Sequence, residues 1–163
     1  MRTVGDFVPL LGPPVRTGEG PLVAQVGAAW SVTFPEDFVA IVGAYGDSAV
    51  AERLFLCGAR SLRSYAALMG GVLEQSGPVP HRVLPAAGGA LLWGNTIDGD
   101  QFFLVPRPDG RWTVSAFRRL DAEHWYDSDL EFGDWLHRAL TGRVAADWLP
   151  RWTALPHRVE PED

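Results

Sequence analysis

The stretch from Leu91 to Phe117, LLWGNTIDGDQFFLVPRPDGRWTVSAF, constrains the fold of this chain more than any other. Runs rich in branched and aromatic residues at Ala90 to Thr96, Gln101 to Val105 and Trp112 to Phe117 are separated by short polar links, one holding Asp98-Gly99 and the other Asp109-Gly110. Asp-Gly favours tight hairpin turns, because glycine takes positive φ at no steric cost and aspartate tolerates it. The spacing predicts consecutive antiparallel strands, with a type I′ turn at Asp98-Gly99. Asp98 and Asp109 are then first of all turn formers, and Asp100 a solvated strand end.

Helical periodicity flanks this run on both sides. Leu22, Val26, Ala29 and Trp30 fall on one helix face after Pro21. A second helix follows, with Thr33 and Glu36 at capping-box spacing, a stripe of Phe38, Ile41, Val42 and Tyr45, and Gly46 as its stop. Arg53 to Cys57 reads as a strand. A third helical pattern opens at Ser61 with Leu62, Tyr65, Ala66, Met69, Val72 and Leu73, and Gly77 to Pro80 is a loop. The last helix is placed by a capping box of Ser128 and Glu131, a stripe of Phe132, Trp135, Leu136, Ala139 and Leu140, and Gly142 at its end. Ala145 to Leu149 adds a short helical turn. Helices, then hairpin-linked strands, then a helix give an α+β order, so the expected architecture is an antiparallel sheet with helices packed on one face. Residues 1–152 form one domain and 153–163 a loosely held polar tail.

At 163 residues the chain buries a single core without metal or disulfide support, and its one cysteine, Cys57, reads as a small buried hydrophobe. His81, His124, His137 and His157 are scattered, and neither a zinc motif, a Walker A loop nor a GxGxxG turn is present. No metal and no cofactor are expected. A net charge of −6 disfavours nucleic-acid binding and favours a basic partner. Asp6, Pro9 and Pro13-Pro14 interrupt the opening apolar run, and no apolar stretch approaches the ~20 residues of a membrane helix. The expectation is a cytoplasmic protein that meets no membrane.

Two groups of residues invite a functional reading. Gly46-Asp47-Ser48 with Asp121-Ala122-Glu123-His124 resembles the GDS and DxxH blocks of the SGNH serine esterases, which would make Ser48 a nucleophile and His124 its base. The alternative is a helix stop followed far along the chain by a surface histidine. Trp125 and Tyr126 lie beside Asp127 and Asp129 in a polar segment. Such residues either anchor a basic protein partner or seal the core under the last helix. The candidate partner contacts are Asp98, Asp100, Trp125, Tyr126, Asp127 and Asp129.

Four segments taken in order, FPEDFVAIVGAYGDS, GALLWGNTIDGDQFFLV, DGRWTVSAF and EFGDWLHRALTGR, resemble the helix, sheet core and closing helix of the SUKH superfamily of Smi/Knr-like proteins across roughly residues 20 to 143. The resemblance implies an α+β fold without enzymatic activity. In bacteria it implies an immunity protein that binds and neutralises a toxin, often a nuclease and often basic. An intracellular regulator or scaffold of the same fold, with no toxin partner, is the alternative.

Overall fold

A computed structural model describes the chain except for residues 78, 122, 145, 147 and 150–154. Five α-helices are present among the described residues: α1 Val4–Leu11, α2 Gly20–Ala29, α3 Glu36–Tyr45, α4 Ser61–Ser76 and α5 Phe132–Leu140. The strands are β1 Ser48–Val50, β2 Leu54–Leu56, β3 Leu91–Thr96, β4 Gln101–Pro106, β5 Trp112–Phe117, β6 Tyr126–Glu131 and β7 Val159–Pro161. They form one sheet in the order β6-β5-β4-β3-β2-β1-β7 with every pairing antiparallel, an α+β fold as expected.

The β3–β4 and β4–β5 links share one geometry that departs from type I′. In the first, Gly99 N–H bonds the Thr96 carbonyl and Thr96 N–H bonds the Asp100 carbonyl; in the second, Gly110 pairs with Arg107 and Arg107 with Arg111 in the same way. Gly99 (φ 92°) and Gly110 (φ 86°) take positive φ, whereas Asp98 and Asp109 do not. A longer hairpin loop ending on a left-handed glycine satisfies the twist of the strands with one such residue instead of two.

Alternation along the strands divides the core in two. Leu91, Trp93, Phe102, Leu104, Val114 and Ala116 face α1, α3 and α5, with α2 packed outside α3. Leu92, Phe103 and Val105 face the other way, onto Leu73 of α4 and the segment carrying Val79 and Val83. Helices therefore gather on one face, as expected, except that α4 covers part of the second. The α3 stripe of Phe38, Ile41, Val42 and Tyr45 and the α5 stripe of Phe132, Trp135, Leu136, Ala139 and Leu140 are buried as their periodicity predicts.

Several local expectations are corrected. In α2 the buried positions are Val23, Val26 and Gly27, while Leu22 and Ala29 face out. The helix turns Gly27 toward Phe34, whose ring lies 3.2 Å from where a Cβ would stand. Neither capping box forms at the expected helix starts: Pro35 and Glu131 are the residues preceding α3 and α5, and Ser128 lies in β6. The segment Tyr126–Glu131 is a strand because its side chains alternate half-buried and exposed. The tail is not loose where it is described. His157 is buried, with Nε2 2.8 Å from the Leu140 carbonyl, β7 pairs with β1, and the Arg16 guanidinium bonds the carbonyls of Gly46, Asp47 and Glu162. Ala145 and Asp147 of the expected turn, with Trp152 and the start of the tail, lie outside the described residues.

Candidate functional site

Three aspartates are held inside the fold by backbone donors, which removes them from the surface chemistry. Asp47 is buried in the left-handed region at φ 52° and accepts from the N–H groups of Gly58, Arg60 and Ser61 at 3.0 to 3.1 Å and from the Ser61 hydroxyl. It caps α4 from a distant part of the chain, doing what a local N-cap side chain does for other helices. Gly58 is required beneath it, since a Cβ there would stand 2.6 Å from Oδ2. Asp37 does the same for α5 by accepting from Gly133 N–H at 2.8 Å. Asp100 is not a solvated strand end: it is buried, with its carboxylate accepting from the Thr96 hydroxyl at 2.8 Å and from Arg119 N–H at 2.9 Å.

The esterase-like residues do not assemble. Ser48 is fully buried in β1 with its hydroxyl on the Gly46 carbonyl, and Asp47 is spent on α4. His124, 76% exposed, sits 2.7 Å from Asp121 just before β6. β1 and β6 are five strand steps apart in the sheet, about 24 Å at ~4.8 Å per step.

The two aromatics of the expected anchor point inward. The Tyr126 hydroxyl accepts from the Trp135 indole at 3.1 Å and its ring meets Trp148 edge-on. Trp125 is half-buried against Phe103 and His81, where it closes the edge of the second core. Burial, with Arg107 nearby, pushes the His81 imidazole below its ordinary value. Both aromatics thus take the core-sealing role, and Asp98 stands apart, exposed at the tip of the β3–β4 hairpin.

What remains exposed is the second sheet face beyond α4. There Arg107 lies over β5, bonding the hydroxyls of Thr113 (2.7 Å) and Ser115 (3.4 Å), and it meets the Asp127 carboxylate, which also accepts from Ser115. Arg111 is chelated by Asp109 at 2.9 Å and reaches the Asp129 carbonyl at 3.2 Å. That pairing holds the Asp109 carboxyl below the usual range, chiefly through the Arg111 backbone N–H. Asp127, Asp129 and Glu131 project from alternate positions of β6. Four carboxylates, counting Asp109, thus face two guanidiniums on this half-face, leaving it acidic. Along β6 a shallow groove carries both signs of charge, with Asp127 and Asp129 on its lining together with Arg138 and Arg143, beside Ser128 and Leu130.

Asp127 and Asp129 were among the residues singled out from sequence; Arg107, Arg111 and Glu131 were not. The alternation of YDSDLE, residues 126–131, was the available signal. Among the described residues no group of three or more histidine, cysteine, aspartate or glutamate side chains is placed to hold a metal, and no helix is long and apolar enough to cross a membrane. Compared with known proteins, the chain matches no protein-family model and no curated protein.

Proposed function

We propose that this chain is a non-enzymatic protein-binding module that engages a basic partner through the open β5–β6 half-face, and that it is an immunity protein of the SUKH type whose partner is a toxin domain. The observation that carries the reading is the row Asp127, Asp129 and Glu131, exposed at alternate positions of β6, whose Tyr126 and Leu130 pack against the core. The overall charge of −6 supports it, because complementary potentials steer association. The ordered resemblance of four segments to SUKH proteins supports the toxin part. Occlusion by stoichiometric binding needs no catalytic group in the chain.

The test is an affinity capture of the tagged protein from its native lysate at low salt, with bound proteins identified by mass spectrometry and eluted at high salt. A stoichiometric basic protein whose toxicity in cells is abolished by co-expression of this chain is the expected result. Capture of a basic partner that is not toxic would move the function to a regulator or scaffold, and the lack of any salt-sensitive partner would overturn the binding reading.

A further inference from the structure

Resting on that binding reading, we propose that β6 is the docking element itself, and that it accepts an extended segment of the partner as an added eighth strand carrying arginine or lysine at alternate positions. Among the described residues β6 ends the sheet: it pairs with β5, with a bulge between the Thr113–Glu131 and Ser115–Asp127 pairs, and no described strand pairs with its outer edge. The far edge is treated differently, since β1 is covered by β7.

The charges on β6 select the occupant. Side chains directly opposite one another in an antiparallel pair share a face, and like charges so placed destabilise the pairing. A second copy of β6 added antiparallel in register would set Asp127, Asp129 and Glu131 against the same acids, so the row opposes self-pairing. A strand with basic residues on that face meets the acids favourably. The groove beside β6 sets Arg138 and Arg143 near Asp127 and Asp129, so positions of the added strand that turn toward Ser128 and Leu130 suit uncharged side chains. The sequence pattern fitted by the edge is therefore basic residues toward Asp127, Asp129 and Glu131, alternating with uncharged polar ones. Backbone hydrogen bonds supply affinity in strand addition, and the alternate side chains supply specificity.

The experiment uses the full chain and three short capped peptides: one alternating arginine and threonine, one alternating glutamate and threonine, and the arginine peptide with alternate backbone amides N-methylated. Fluorescence anisotropy at low salt should show binding by the arginine peptide, and a loss of about tenfold or more for each of the other two. The exposed substitution Asp129→Arg, checked for folding by circular dichroism, should weaken the arginine peptide by a similar factor. Hydrogen exchange should slow at amides of β6 when the peptide is present. Equal binding of the N-methylated peptide, or protection elsewhere than β6, would overturn strand addition in favour of plain charge attraction. No binding by the arginine peptide, or a β6-mediated dimer seen by sedimentation, also overturns it. A captured basic partner that the arginine peptide fails to displace would refute the edge while leaving the binding function standing.

Discussion

Asp47 gathers four donors on one buried carboxylate, and its removal strips the Arg60 and Ser61 amides at the start of α4 of this acceptor and leaves the Gly58 amide only the Ser61 hydroxyl. Asp47→Ala should cost about 2–4 kcal/mol, read as a fall in the urea midpoint, because each stranded donor keeps its desolvation penalty. Asp47→Asn keeps the tolerance for positive φ and one acceptor oxygen, so it should fall between wild type and Ala. A second prediction at this scale concerns pH. Burial lowers the imidazole pKa of both His81 and His137 below 6.5, with Arg107 and Arg2 respectively adding to the effect. The unfolded chain therefore takes up these protons first on acidification, so their contribution is complete well above 6.5 and is lost as pH falls through 6.5 toward the lower folded values. Urea midpoints should drop between roughly pH 7.5 and pH 5.5, and His81→Gln with His137→Gln should flatten that slope. These roles were only partly legible in the sequence. Gly46-Asp47-Ser48 was visible as a helix stop, but a cap supplied to a helix more than ten residues on leaves no local spacing to detect. Asp100 was misplaced for the same reason, its partner Arg119 lying beyond the next two strands, β4 and β5.

At the scale of elements, the two hairpin loops are the most legible features and also the easiest to probe. Gly99→Ala and Gly110→Ala each force a Cβ into the left-handed region, and each should cost about 1–2 kcal/mol in urea unfolding. Gly99→Ala should be the worse, because its Cβ would stand 2.8 Å from the Arg119 side chain while nothing lies within 4 Å at Gly110. The strands β3, β4 and β5 and the stripes of α3 and α5 followed from periodicity because burial imposes it directly. β6 escaped for a chemical reason. Ser128 and Glu131 have the spacing of a capping box, and acids before an apolar helix match the dipole rule, so helix chemistry masked an alternating strand. Asp37 supplies the acceptor that the local box would have supplied, and frees Asp127, Asp129 and Glu131 to face outward. The surface proposed for binding was thus half-legible: its acids were picked out, its geometry was not.

The molecule as a whole handles the two ends of its sheet in opposite ways. At one end β6 has no further strand beside it among the described residues and carries acids on alternate positions. At the other, β1 is the uncharged Ser48–Val50, with none of the charged side chains that discourage edge-to-edge pairing, and β7 covers it. Arg16 ties that cover in place through Glu162, and His157 anchors the approach through Leu10 and Leu140. Deleting residues 159–163 keeps the His157 anchor and uncovers the β1 edge. The shortened chain should melt at lower temperature and associate with rising concentration in sedimentation, more than the full chain does. Adding Ala49→Lys to it should suppress the association without restoring the lost thermal stability, because a charge at the centre of β1 blocks pairing but replaces none of the hydrogen bonds of β7. If the shortened chain associates no more than the full one, β7 has no protective role. The contrast between a guarded edge and a receptive one would then have to rest on β6 alone.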